Sequence, residues 1–128
     1  MSYTFKNINF NERLSESIRI KKKYPGKVPI IISKHIVSKL PHINKSKYLI
    51  SEDLSTKQLL FIIKKQIKVK SETELSIYVN GLIPSASLSI LELYDKYKNN
   101  DGFLYITYRE EGYYYNWVYR VLDYFKIL

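Results

Sequence analysis

Residues 55–67 read Ser-Thr-Lys-Gln-Leu-Leu-Phe-Ile-Ile-Lys-Lys-Gln-Ile and carry the clearest secondary-structure signal in the chain. Ser55 and Gln58 have the spacing of a capping box, in which each side chain satisfies a backbone N–H at the start of a helix. Apolar residues then recur at helical spacing, and the lysines fall outside that stripe. We therefore predict an amphipathic helix with the apolar face Leu59, Leu60, Ile62, Ile63 and Ile67.

Runs of β-branched and aromatic residues on both sides of this helix predict four strands. Residues 28–32 and 48–50 precede the helix, and residues 75–79 and 103–108 follow it. Asn80-Gly81, after the third run, is a strong hairpin signal. The order strand, strand, helix, strand, strand is that of the β-grasp, the ubiquitin-like fold of the α+β class.

The amino terminus carries a second helical pattern. Asn9 and Glu12 resemble a capping box, and apolar residues then recur every four positions. Residues 15–23 either continue that helix or begin another, and we predict two short helices before the β-grasp. A further short helix is predicted over residues 88–97, capped by Ser87. The predicted organisation is a helical subdomain at 1–24, a β-grasp domain at 25–112 and an extension at 113–128.

The composition excludes several classes of function. The chain has 128 residues and no Cys, so one domain is expected, with no disulfide, thiolate zinc site or thiol nucleophile. His35 and His42 lack the spacing of a metal site, and phosphate loops and nucleophile elbows are absent from the sequence. We expect no metal, no cofactor and no enzyme activity. No signal peptide or membrane span is evident, so a cytoplasmic protein is expected.

The net charge of +9 is concentrated in the first half of the chain. A basic surface favours an anionic partner, whether nucleic acid, anionic lipid or acidic peptide. Lys21-Lys22-Lys23 and Lys64-Lys65 leave a nucleic-acid-binding protein as an alternative. No zinc knuckle, helix-turn-helix or RNP signature accompanies them, so specific nucleic-acid recognition is not expected.

A series of motifs carries a resemblance to a known family. The motifs are Phe10-Asn-Glu-Arg-Leu-Ser-Glu-Ser17, Ile20-Lys-Lys-Lys-Tyr-Pro25, Val28-Pro-Ile-Ile-Ile32, Asn44-Lys-Ser-Lys-Tyr-Leu-Ile50 and Asp101-Gly-Phe-Leu-Tyr-Ile-Thr-Tyr108. Together they resemble the autophagy ubiquitin-like modifiers, the family of the GABA-receptor-associated protein and microtubule-associated light chain three. The resemblance covers about residues 5–112.

This resemblance implies a modifier that is conjugated to phosphatidylethanolamine and acts on autophagosomal membranes and cytoplasmic vesicles. It implies a processing protease and ubiquitin-like conjugation enzymes as partners. It also implies binding of cargo receptors and autophagy machinery through acidic peptides with an aromatic-x-x-aliphatic motif. Such peptides add a strand to the sheet edge near residues 47–50.

The resemblance also assigns two peptide pockets to residues of this chain. The aromatic pocket is assigned to Glu16, Ile20, Pro29, Lys47, Leu49 and Phe103. The aliphatic pocket is assigned to Tyr48, Ile50, Leu54, Leu59 and Ile62, with Lys27 at its rim. Without the resemblance, the apolar residues of both pockets could as well be interpreted as residues of the hydrophobic core. Ser51 stands where the family commonly has Pro, and Leu59 where an aromatic residue is common.

The carboxyl terminus departs from the family pattern. The glycine that the family conjugates would fall at position 115, which is Tyr115 here, and the nearest glycine is Gly112. Either Gly112 is the conjugation site after removal of 113–128, or the protein is a non-lipidated, divergent peptide-binding paralogue held on membranes by its tail. Residues 113–128 form a broad aromatic stripe on a helical wheel. They are expected to pack on the domain, contact a membrane, or be removed as a propeptide.

Overall fold

Seven helices and strands make up the computed structural model, which describes residues 7–110. In chain order they are α1 (Phe10–Lys23), β1 (Lys27–Lys34), β2 (Lys47–Ser51), α2 (Thr56–Gln66), β3 (Leu75–Tyr78), α3 (Ile90–Tyr97) and β4 (Leu104–Glu110). All four predicted strands and the predicted central helix are present. No helix in this part of the chain is long and apolar enough to cross a bilayer.

The four strands form one mixed sheet in the order β2-β1-β4-β3. β1 and β4 run parallel at its centre, whereas β2 and β3 pair antiparallel with them on the outside. A parallel pair needs a long crossover connection, which here contains β2, α2, β3 and α3. This topology confirms the predicted α+β, ubiquitin-like β-grasp.

The main core lies between the sheet and the two helices α2 and α3. Ile30 and Ile32 of β1 and Leu104 and Ile106 of β4 are fully buried there. Side chains alternate across a strand, so Ile31 points to the other face, where it packs with Phe103. Helix residues that complete the main core include Leu59, Ile63, Ile90, Leu93 and Tyr94.

Residues 10–23, for which two short helices were predicted, form one continuous helix, α1. Asn9 caps it by accepting a hydrogen bond from the Asn11 N–H at 2.7 Å. Neither Gly nor Pro interrupts residues 10–23, so no residue type forces a break. The helix ends at Lys23, and the N–H of its C-cap residue, Tyr24, donates to the Ile20 carbonyl directly before Pro25-Gly26.

The predicted cap of the last helix is wrong by two residues. Ser89 caps α3, with a reciprocal capping box to Glu92, and the helix begins at Ile90. The position three residues after Ser87 is Ile90, which has no acceptor for such a box. The Ser87 hydroxyl instead hydrogen-bonds the Ser85 hydroxyl at 2.9 Å.

The Asn80-Gly81 turn forms, but it does not join two long strands. Asn80 and Gly81 have φ values of 51° and 78°, as a two-residue hairpin turn with φ positive at both positions requires. It closes a single bridge between Val79 and Leu82. Pro84 follows two residues later without an N–H to donate, and β3 pairs with β4 instead.

Candidate peptide-binding site

β2 is an edge strand of the described sheet, and its pairing decides which backbone groups face outward. The Ile32 N–H donates to the Ser46 carbonyl, and the Glu52 N–H donates to the Gly26 carbonyl. In an antiparallel ladder, hydrogen-bonded pairs alternate with pairs that are not hydrogen-bonded. The backbone of Tyr48 and Ile50 therefore faces β1, whereas that of Lys47 and Leu49 faces away from the sheet.

The residues assigned to the aromatic pocket lie on the α1 side of the sheet. Pro29 pairs with Leu49 and Ile31 pairs with Lys47, so these four side chains share that face. Leu49 is 37% exposed, whereas Pro29 is buried. Phe103 packs against Ile31 and is almost wholly buried, so it forms the floor of this groove.

α1 supplies the outer wall of this groove. Glu16 and Ile20 are four residues apart, so they occupy one side of the helix. The Lys47 ammonium donates to Glu16 Oε1 at 3.1 Å, which connects the helix to β2. Both side chains are partly exposed, so the ion pair contributes little stability and is open to competition by a charged ligand.

The residues assigned to the aliphatic pocket lie on the opposite side of the sheet, next to α2. Tyr48, Leu54 and Ile62 are half-buried and pack against the main core. Ile50 and Leu59 are core residues that support this surface from below. Lys27 is exposed opposite Ser51, at the end of β2 from which the chain turns toward Leu54.

Asp101 organises the α1 side of the site, a role that no local sequence pattern indicates. Its carboxylate accepts hydrogen bonds from Arg13 Nε at 3.0 Å, the Phe103 N–H at 3.0 Å and the Tyr105 hydroxyl. Ser17 Oγ donates to the Asp101 carbonyl at 2.6 Å. Burial and the bond to Asp101 raise the pKa of Tyr105, which keeps its hydroxyl protonated as a donor. This network holds α1 and Phe103 in place.

The two histidines, His35 and His42, lie in the loop between β1 and β2. Burial and the nearby Arg109 lower the pKa of His35, so its ring is neutral near pH 7. His35 Nδ1 accepts a hydrogen bond from the Val37 N–H at 3.3 Å. Within residues 7–110, no group of three or more His, Asp or Glu side chains is arranged to hold a metal ion.

Two predicted features of the carboxyl terminus, Gly112 and the extension 113–128, lie outside the described residues. Glu110, the last residue of β4, pairs with Leu75 of β3. The Glu110 carboxylate accepts a hydrogen bond from the Lys39 N–H at 2.9 Å. The chain therefore leaves the described domain beside the β1–β2 loop.

Comparisons with known proteins point to one family. The model of the family described as "Autophagy protein Atg8 ubiquitin like" matches residues 12–115. Autophagy-related protein 8e of Arabidopsis thaliana is 38% identical over 104 residues, which cover 81% of this chain and 85% of the relative. Autophagy-related protein 8a of the same plant is 38% identical over 100 residues, covering 78% and 82%.

Solved structures agree with the sequence comparisons. The ATG8 crystal structure from Trypanosoma brucei superimposes with a TM-score of 0.80 at 29% identity, covering 87% of this chain and 96% of the other. Atg8 of Plasmodium falciparum, solved in complex with a peptide of Atg3 from that organism, gives a TM-score of 0.77 at 29% identity. That comparison covers 87% of this chain and 98% of the other.

Proposed function

This chain belongs to the Atg8 family of ubiquitin-like autophagy proteins, and from that premise we propose that it is a peptide-binding adaptor on autophagosomal membranes. Its ligands are short acidic peptides with an aromatic-x-x-aliphatic motif, carried by cargo receptors and autophagy machinery. One observation carries the proposal: an edge strand with outward-facing backbone groups at Leu49 separates two apolar surfaces. The role is binding, without catalysis and without a cofactor.

The spacing of the motif fits the geometry of the edge. An added strand would hydrogen-bond to the Leu49 N–H and carbonyl. Side chains alternate along an extended peptide, so positions separated by three residues point to opposite faces. The aromatic anchor would therefore enter the groove near Phe103, while the aliphatic anchor would contact Tyr48 and Leu54 on the α2 side.

Charge favours acidic ligands at this edge. The sequence has no Asp or Glu between Glu16 and Glu52, so all charged residues of β1, β2 and their connecting loop are basic. Lys27, Lys45 and Lys47 are exposed around β2. Acidic residues that flank the motif would be attracted to these ammonium groups, which raises the association rate and favours acidic peptides over neutral ones.

Leu49→Pro tests strand addition directly. Proline removes the one N–H that faces outward from the middle of β2. The pairing of β1 with β2 shows that this N–H is not hydrogen-bonded to β1. Proline is tolerated at such edge positions. We expect a folded variant whose affinity for a labelled acidic Trp-x-x-Leu peptide falls about tenfold in fluorescence anisotropy.

Leu49→Ala is the matched control, because it shortens the same side chain and keeps the N–H. A folded Leu49→Pro protein that binds as tightly as the Leu49→Ala protein would contradict strand addition. The same titration with a single-stranded RNA separates the proposal from the nucleic-acid alternative. Tight binding to RNA, with none to the peptide, would favour the alternative.

Conjugation to phosphatidylethanolamine is the second part of the proposal. The related Atg8 of Plasmodium falciparum was solved with a peptide of Atg3, which supports conjugation enzymes as partners of this chain too. We assign the conjugated residue to Gly112, after a protease removes residues 113–128. Glycine suits the reaction because it has no Cβ to obstruct a narrow enzyme channel.

Intact-mass spectrometry of the protein from starved cells tests this assignment. We expect a species that ends at Gly112, both free and with the added mass of the lipid. A Gly112→Ala variant should show neither species. Recovery of only the full chain, in both proteins, would instead favour the non-lipidated paralogue that its tail holds on membranes.

A further inference from the structure

The loop between β1 and β2 exposes two adjacent aliphatic side chains. Ile36 is 92% exposed, the largest exposed fraction of any large apolar residue that the structure describes, and Val37 is 53% exposed. Neither belongs to the peptide grooves on β2. Two adjacent aliphatic side chains held in water at the tip of one loop form a candidate contact surface, which we call the aliphatic tip.

Hydrogen bonds hold the base of the aliphatic tip against β4. The His35 N–H donates to the Tyr108 carbonyl at 2.9 Å, and the Ser38 N–H donates to the His35 carbonyl at 2.9 Å, which closes a turn over Ile36 and Val37. Further along, the Tyr108 hydroxyl donates to the Pro41 carbonyl at 2.6 Å. Folding the tip back onto the domain would break these bonds, so the structure presents it to the outside.

The surroundings of the aliphatic tip are predominantly basic. Lys34 and Lys39 flank it in the sequence, and the loop itself has no acidic residue. β4 brings Arg109 and Glu110 to the same corner. The Glu110 carboxylate already accepts the hydrogen bond from the Lys39 N–H. Aliphatic side chains within a group of lysines fit the interface of an anionic bilayer, because the acyl chains accept the aliphatic side chains while the anionic headgroups attract the lysines.

The position of the aliphatic tip agrees with a membrane partner. The chain leaves the described domain at Glu110, beside the tip, and Gly112 follows two residues later. Two residues of extended chain span about 7 Å. A lipid attached at Gly112 would therefore bring this corner of the domain to the bilayer surface, although the tip's own chemistry does not depend on that attachment.

We propose that Ile36 and Val37 insert into the interfacial layer of an anionic bilayer, with Lys34 and Lys39 at the lipid phosphates. The proposal rests on the membrane role proposed above and adds the surface that faces the lipid. It orients the domain with the β1–β2 loop toward the membrane. The edge of β2 then stays available for peptides, so one molecule can hold lipid and receptor together.

A fluorescent probe at the tip tests the proposal in the full chain. The protein has no cysteine, so an Ile36→Cys variant takes a polarity-sensitive dye at one position only. A histidine tag after Leu128 tethers it to vesicles of phosphatidylcholine and phosphatidylserine that carry a nickel-chelating lipid. We expect a severalfold rise in emission with a blue shift. A Leu82→Cys label, at a site of 57% exposure, should not change.

Tethering makes the result independent of conjugation and of peptide binding, so this proposal and the proposed function fail separately. A dye at Ile36 that stays in water on tethered vesicles would overturn the membrane contact. A dye already in an apolar setting without vesicles would also overturn it, because another segment or a second copy would then cover the tip.

A second variant measures the contribution of the aliphatic side chains without a dye or tether. We expect Ile36→Ser to lower partitioning of the full chain onto phosphatidylserine vesicles about tenfold in co-sedimentation, since an isoleucine side chain that leaves water contributes on that scale. Leu82→Ser is the matched control and should pellet like the unmodified chain. Equal pelleting of both variants would contradict the insertion of Ile36.

Discussion

Replacing Asp101 with alanine is expected to lower the free energy of unfolding by about 3–5 kcal/mol, the scale measured when one partner of a buried charged pair is removed. Asp101 is 2% exposed. Its loss would leave Arg13, the Phe103 N–H and the Tyr105 hydroxyl without their shared acceptor. Each of these groups was desolvated on folding, so each loses a hydrogen bond that compensated for its burial.

Urea denaturation, followed by circular dichroism, measures this effect. Asp95→Ala is the matched control, because Asp95 lies exposed on α3 and its removal should change stability by less than about 0.5 kcal/mol. Asp101→Asn keeps an acceptor of nearly the same shape and should fall between the two. Stabilities for Asp101→Ala and Asp95→Ala that agree within error would show that the Asp101 network does not hold α1 and β4 together.

Gly102→Ala is expected to have the second largest effect, a loss of about 2–5 kcal/mol. Gly102 has a φ of +85°, in the left-handed region, where an L side chain costs about 1–2 kcal/mol. A Cβ at this position would also lie 2.2 Å from Ser17 Oγ and 2.9 Å from Ser17 Cβ. Relieving that overlap requires α1 to move from the sheet, at a further cost of about 1–3 kcal/mol.

Gly81→Ala separates the two causes. Gly81 has a φ of +78°, and an added Cβ there meets nothing within 4 Å. Its loss of stability should therefore reflect backbone conformation alone. We also expect Gly102→Ala to weaken binding of the aromatic-motif peptide, because α1 carries Glu16 and Ile20 of the groove. Equal melting temperatures for the two variants would refute the close packing of Ser17 on Gly102.

Local signals explain why much of the secondary structure was predictable. The capping box of Ser55 with Gln58 involves residues three positions apart, and both of its hydrogen bonds form. The β-branched run at 28–32 predicted β1 from an equally local signal, since strand propensity depends on the residue and its neighbours. The last helix shows the limit of such signals, because two serines compete as its cap and Glu92 selects Ser89.

The candidate site was predictable only in part. The motifs indicated which residues of β1 and β2 belong together, and the register places Pro29 opposite Leu49. Burial was not predictable in the same way. Leu59 was assigned to a pocket, and the structure places it in the core, where it supports the surface without being exposed. The Leu49 backbone faces outward because hydrogen-bonded pairs alternate with non-hydrogen-bonded pairs between β1 and β2, and not because of any property of Leu49 itself.

The amino-acid sequence by itself determined the element order, the α+β class and the basic character of the β2 edge, because these depend on residue type and short-range spacing. Only the tertiary structure decided how α1 is held and where the aliphatic tip projects. Arg13 and Asp101 are separated by 88 positions, and Lys39 and Glu110 by 71. These hydrogen bonds form only once the sheet has formed, because residues so far apart in the sequence come within hydrogen-bonding distance only in the folded domain.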